Sequence, residues 1–355
     1  MDEKKYKVLL TFRIGGENGG PYISHKRILE SSLSDKYNIQ PWMLPNPRQM
    51  RKPTTFIKLI KYLKMEKPDL VHLAGLQSEG FLSMLACRLA NVKTVVAVHG
   101  SSTEAIGFSK ISQIIFKMIE TYTVHKADGV YGVSDYVSSW KICKKTKKYF
   151  GTVYNMIELL PEKSDINLRN ELELNTEDII VVSTGRIIKD KGYDVMWDVI
   201  KRFKENENVK FVIAGDGTYK EQWNKEVQLE GLQDKVFLLG YRKDIYNILK
   251  SSDIFMICTK HETLCISLLE AGYHSLPLVA SNVGGIPEII EDNNNGYLVP
   301  VGDIEKFELA LKKLIQDASL RKAMGKAAKT KIEEKFNQES IVEKLDEIYH
   351  KVIEA

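Results

Sequence analysis

Short apolar runs alternate with longer amphipathic stretches along almost the whole chain. In the first half, Lys7–Phe12, Leu70–Leu73, Thr94–His99, Gly129–Val133 and Gly151–Tyr154 read as strands. Between them, Tyr22–Leu33, Thr54–Met65, Glu79–Leu89 and Ile111–His125 space their apolar residues three and four apart, which predicts helices. The rhythm restarts in the second half with strands at Ile179–Thr184, Lys210–Ala214, Val236–Leu239, Ile254–Cys258, Leu278–Ala280 and Tyr297–Val299. Strand–helix alternation of this kind predicts parallel sheets covered by helices. The stretch Glu158–Glu177 is polar, contains Pro161 and lacks a period, so it reads as an interdomain linker. The expected fold is α/β: two Rossmann-like, doubly wound domains facing each other across a cleft. Their predicted bounds are 1–160 and 161–335. A last helix from Gln338 to Ile353 carries Ile341, Leu345, Ile348, Tyr349 and Val352 on one stripe.

Composition narrows the class. The 355 residues suit about two domains, and 43% hydrophobic with 28% charged residues is ordinary for a soluble globular enzyme. Runs such as Val95–Val98 fall far short of the ~20 apolar residues of a membrane span. The start has no secretory pattern, and Cys87, Cys143, Cys258 and Cys265 are scattered as reduced thiols are. These features predict a cytoplasmic protein. Residues 1–160 hold 24 Lys+Arg against 13 Asp+Glu, a net of +11, whereas the remainder holds 27 against 34, a net of −7. A basic first half suits an anionic partner or is simply a solvated lysine-rich surface. The run Lys144, Lys145, Lys147, Lys148 reads as solvated. No basic motif interleaved with aromatics appears, so nucleic acid is not an expected partner.

In doubly wound sheets ligands bind at the carboxyl ends of strands. Three loops there carry chemistry. Arg13–Pro21 includes Gly19 and Gly20 before a helix start, which is either a phosphate cradle or a flexible connector. Thr184–Gly192 places Arg186 and Lys191 before the next helix, two cations suited to a diphosphate or two surface charges. His261-Glu262 is followed by Glu270, and two carboxylates can face one site from loop and helix. Cys265 stands where a zinc protease needs its second histidine, so no metal site is expected. No Asp-X-Asp pair occurs anywhere, nor a Walker loop, and Gly215-Asp216-Gly217 is only half of a dinucleotide fingerprint.

The stretch Ser183–Arg186 through Lys191-Gly192, then Val212–Gly217 and Phe237–Tyr241, resembles the second domain of the family four retaining glycosyltransferases of the GT-B fold (glycosyl transferases group 1). So do Glu262 through Leu268-Leu269-Glu270-Ala271, Leu276–Glu288 and Asn294–Val299. The first half is similar more loosely, at Gly19-Gly20-Pro21, Val98-His99-Gly100, Val133-Ser134 and Asn155–Glu158. The resemblance implies a retaining, metal-independent transferase whose partners are a nucleotide-diphosphate sugar (UDP by family frequency) and a saccharide or lipid-linked acceptor. The nucleotide-sugar is a substrate, and no cofactor is implied. Residues 336–355 would cross back to the first domain. Arg186 and Lys191 would hold the diphosphate, Glu270 the ribose, and Glu262 the transferred sugar. Amides around Leu264 and Cys265 would reach sugar hydroxyls or phosphate, Tyr241 and Arg242 would border the base, and His99 would lie near the reacting carbon. Where the family often has Gly-Phe-Gly after the first glutamate, this chain has Thr263-Leu264-Cys265, which leaves the sugar open.

Read by position alone, His99 is a buried, hydrogen-bonded histidine, and Tyr241 is equally core packing or a border of the base; His25, His72, His125, His274 and His350 have no comparable support. A sugar-nucleotide epimerase, a phosphorylase, or a non-catalytic subunit that binds donor for a partner transferase are the alternatives. The stripe Ile111, Ile114, Ile115, Met118, Ile119 reads first as core-facing. Flanked by Lys110, Lys117 and Lys126, it would otherwise suit peripheral contact with an anionic membrane at its inner face.

Overall fold

The computed structural model describes residues 5–16, 19–102, 109–157 and 167–355. The chain divides into two compact units, residues 1–156 with 337–355, and residues 157–336.

Unit 1 is built on six parallel strands: β1 (Lys7–Arg13), β2 (Asn38–Leu44), β3 (Leu70–Ala74), β4 (Lys93–Val98), β5 (Gly129–Gly132) and β6 (Tyr149–Thr152). Their order is β2-β1-β3-β4-β5-β6. Val8 to Phe12 of β1 and Thr94 to Val98 of β4 are buried at consecutive positions, because helices cover both faces of a parallel sheet. β2 escapes the sequence pattern for a physical reason. It is an edge strand carrying Asn38, Gln40 and Pro41, with only Trp42 and Leu44 buried. Proline is tolerated there because one side of an edge needs no N–H. The helix Gln338–Glu354 belongs to this unit. It buries Ile341, Leu345, Ile348, Tyr349 and Val352, and the Tyr349 hydroxyl lies 2.7 Å from His72 Nδ1.

Unit 2 repeats the plan with β7 (Ile179–Thr184), β8 (Val209–Ala214), β9 (Val236–Gly240), β10 (Ile254–Ile257), β11 (Leu278–Ser281) and β12 (Gly296–Val299). Its order is β12-β11-β10-β7-β8-β9, all parallel. The chain enters at β7, winds outward to β9, then returns to place β10 on the other side of β7. That reversal makes the crevice between β7 and β10 the ligand-binding position of such a sheet.

Two sequence expectations fail. Residues 158–166 of the expected linker lie outside the described residues, but from Asn167 onward the chain is built into unit 2. Asn167 caps the short helix Leu168–Glu171, Leu168 is buried, and the Arg169 guanidinium donates to Asp253 at 2.8 Å. One buried leucine and one long-range ion pair leave no period to read. The stripe of the helix Lys110–Lys126 is also not core-facing: Ile111, Ile114, Ile115 and Met118 are 73%, 61%, 51% and 68% exposed. Glu120, on the opposite face, is fully buried, with Thr123 and Val124 beside it.

Candidate functional site

The loops after β7 and β10 meet at the reversal of unit 2. After Thr184 the chain runs through Arg186 and a short turn, Lys189–Lys191, to Gly192, which opens the helix Tyr193–Lys201. Gly192 has φ +69°, and a Cβ there would sit 1.7 Å from the Cys258 carbonyl. Only glycine lets this loop lie against the end of β10. The Lys260 amide then donates to the Asp190 carbonyl at 2.9 Å. This closeness joins Lys191 and Glu262, 71 residues apart, in an ion pair. Gly284, at φ +59°, brings the loop after β11 beneath it, since a Cβ there would strike the Glu262 carbonyl at 1.7 Å.

Burial works against the Lys191 ammonium, but the charge of the Glu262 carboxylate and the hydrogen bond to it outweigh that and hold the lysine pKa above the ordinary value. Arg186 is exposed and close enough to Lys191 to oppose its charge. The crevice therefore holds two adjacent cations, one already matched by a carboxylate. Leu264 and Cys265 turn their side chains into the core. Burial, then the Glu262 charge, pushes the Cys265 thiol up to about 12, so it stays protonated at neutral pH. The helix Ile266–Tyr273 starts directly after Cys265 and carries Glu270, partly exposed, on its second turn.

Tyr241 and Arg242 leave the far edge strand β9, two strands from β7 and hence roughly 10 Å away across the sheet. Tyr241 is 57% exposed, which removes the core-packing reading. Arg242 is engaged: its Nε donates to Asp244 at 2.7 Å and its Nη1 to Glu171 at 2.5 Å. These bonds lift its pKa further and tie the turn after β9 to the helix Leu168–Glu171.

The remaining predicted residues lie at the carboxyl edge of unit 1. Gly19 caps the helix Gly20–Leu29, with Pro21 in its first turn, and the space above Gly20 is open. Glu17 and Asn18 of the same loop lie outside the described residues. His99 follows β4, and its Nε2 is enclosed without a hydrogen-bond partner among the described residues. Burial and the neighbouring His25 depress its pKa to about 3, so the imidazole is neutral. His25 and His72, without support from sequence, pack together behind the strand ends, their rings tilted by 52° with centroids 4.5 Å apart. His25 Nδ1 donates to the Thr11 carbonyl at 2.9 Å, and Tyr131 meets His72 Nε2 at 2.9 Å. Sequence reading also missed Glu120, whose carboxylate accepts from Ser101 Oγ and the Ser102 amide, both at 2.7 Å. It thereby fixes the segment following His99. Its only signal is a lone acid inside an apolar helix.

Two family models match this chain: Glycosyl transferases group 1 over residues 164–331 and Glycosyltransferase Family 4 over residues 29–140. The chain belongs to the group 1 glycosyltransferases. The crevice of unit 2 lies wholly within the first of these matches. Among its relatives is the UDP-Gal:alpha-D-GlcNAc-diphosphoundecaprenol alpha-1,3-galactosyltransferase of Escherichia coli, 29% identical and covering 87% of this chain and 82% of the relative. The N-acetyl-alpha-D-glucosaminyl L-malate synthase of Bacillus anthracis is 25% identical over 83% of this chain and 78% of its own. The crystal structure of Anabaena HepE in complex with UDP-glucose matches 97% of this glycosyltransferase and 99% of HepE, with TM-score 0.81 and 17% identity, a likeness of fold. The two six-stranded units are thus those of the GT-B architecture.

Proposed function

We propose that this glycosyltransferase moves a sugar from a UDP-sugar to a saccharide or lipid-linked acceptor, with retention and without a metal ion, in cell-envelope or exopolysaccharide synthesis. The observation that carries the reading is the Lys191–Glu262 pair with Arg186 beside it, at the crevice where a doubly wound sheet takes its ligand. As the sugar–phosphate bond breaks, negative charge grows on the departing diphosphate. Fixed cations there stabilise the transition state more than the ground state. Arg186 and Lys191 take that role, Glu270 accepts from the ribose hydroxyls, and Glu262 faces the transferred sugar. Amides around Leu264 and Cys265 hold sugar hydroxyls or phosphate; Gly19 and Gly20 allow close backbone approach. His99, a neutral imidazole, is assigned to the reacting sugar. Retention follows if the acceptor hydroxyl attacks an oxocarbenium-like carbon from the face the diphosphate leaves, handing its proton to the leaving phosphate.

The E. coli relative is a UDP-Gal galactosyltransferase and HepE binds UDP-glucose, which supports the donor class, and the E. coli enzyme's acceptor is a diphosphoundecaprenol-linked sugar. The basic balance of residues 1–160 favours a phosphate-bearing acceptor of that kind. We place the protein in the cytoplasm, peripheral to the inner face of the membrane; no described helix is long and apolar enough to cross it. Purified protein is incubated with UDP-sugars and a GlcNAc-diphospho-lipid in EDTA, and the product anomer is read by NMR. Transfer with the donor's anomeric configuration is expected. An inverted product, loss of activity restored only by manganese or magnesium, or conversion of the donor sugar without acceptor overturns the reading.

A further inference from the structure

The helix Lys110–Lys126 of unit 1 has two faces with opposite commitments. Glu120 faces inward and bonds to Ser101 and Ser102, and Thr123 and Val124 flank it on the buried face. Ile111, Ile114, Ile115 and Met118 fall on the opposite side, at the spacing of a single helical stripe, and more than half of each is exposed. Rolling the helix to bury them would bring the Glu120 carboxylate to the surface and break both of its bonds. The stripe is therefore held outward.

The ground around the stripe is basic. Residues 109–157 contain eight lysines and three carboxylates. Glu120 is buried, Asp128 is paired with Lys148 at 3.0 Å, and Asp135 accepts from Thr152 and Tyr154. The lysine run lies against this helix, with Lys145 Nζ donating to Thr121 Oγ1 at 3.3 Å. Lys110, Lys117, Lys141, Lys144, Lys145 and Lys147 are exposed. An apolar stripe alone would suit any apolar partner. A stripe set among exposed lysines, with the three carboxylates of residues 109–157 buried or engaged, has the charge complement of an anionic lipid surface.

We infer that the helix Lys110–Lys126 and the lysine run 141–148 form one docking surface for an anionic phospholipid bilayer. Ile111, Ile114, Ile115 and Met118 enter the acyl boundary, and the lysines lie among the phosphates. The inference rests on the peripheral placement proposed above and gives it a surface. It does not depend on the chemistry of transfer.

The full chain is sedimented with vesicles of equal parts phosphatidylglycerol and phosphatidylcholine, and with phosphatidylcholine alone. Binding to the anionic vesicles, weakening as salt rises, is expected. Ile114→Ser/Ile115→Ser/Met118→Ser should lower the partition coefficient at least tenfold. Lys144→Glu/Lys145→Glu/Lys147→Glu should lower it further, since each lysine near such a surface contributes roughly fivefold. Both variants change exposed residues, and UDP affinity by calorimetry should match the parent, which separates a failure of docking from a failure of the transferase reading. Absence of binding to anionic vesicles at low salt overturns the proposal. So does wild-type binding by the apolar variant, or a dimer of the parent that the apolar variant dissolves, which would make a second copy the occupant.

Discussion

Replacing Lys191 with alanine separates a diphosphate site from a structural strut. In the wild type the ammonium is held by Glu262, with the two side chains only 20% and 12% exposed. A hydrogen bond from a charged donor contributes roughly 1.5–3 kcal/mol, which at about 1.4 kcal/mol per decade is roughly 10- to 150-fold in the Kd for UDP. Lys191→Ala should cost that much or more, because the abandoned Glu262 carboxylate then repels the diphosphate. The same stranded charge should lower folding stability by about 1–3 kcal/mol. Glu262→Gln works in the opposite sense on binding. It keeps the shape but removes the anion that competes for Lys191, so UDP affinity should hold or rise while transfer falls. Calorimetric titration with UDP and denaturant unfolding read both quantities. If Lys191→Ala binds UDP within twofold of the parent, or if both substitutions weaken UDP equally, the pair is only a strut between the loops after β7 and β10.

Glu270→Ala should weaken UDP by roughly 10- to 150-fold through loss of a charged acceptor, whereas His99→Ala should leave UDP affinity within twofold and slow transfer; an unchanged Kd in Glu270→Ala refutes the ribose assignment. Glu120→Ala strands the Ser102 amide and should lower stability by about 1–3 kcal/mol and transfer kcat with it. Glu120→Gln should restore most of both, and an unaltered kcat in Glu120→Ala would show that the segment after His99 needs no such anchor. Stability should also fall with acidity. His25 is depressed to about 4 by burial, against an ordinary 6.5, so below pH 6.5 the unfolded chain takes up protons that the native state refuses. The loss runs from pH 6.5 down to about 4 and reaches roughly 2 kcal/mol at pH 5 for this histidine alone; unfolding free energies that stay flat between pH 7 and 5 would rule it out.

The position of the candidate site's loops was legible because it is written locally. Glycines and cations between a strand and a helix mark a loop at a carboxyl edge whatever the rest of the chain does, and Arg186, Lys191 and Glu262 stood out on that ground. Arg242 was less transparent. Its position after a strand was readable, but its engagement by Glu171 depends on a helix 71 residues earlier. His25 and His72 gave no sign, since a lone histidine in an apolar stretch looks the same whether solvated or buried.

By itself the sequence determined the alternation of strands and helices, the parallel α/β class with its two units, and the family, since local periodicity and ordered motifs survive without knowledge of contacts. Tertiary structure decided the rest. It placed β2 at an edge where proline is harmless, joined Lys191 to Glu262, and gathered His25, His72 and Tyr349 into one buried cluster. It also turned the stripe of the helix Lys110–Lys126 outward. Periodicity reports that a helix has an apolar side. Which side the fold covers is set by what the other side must bury, and here a single buried carboxylate, Glu120, holds the opposite face.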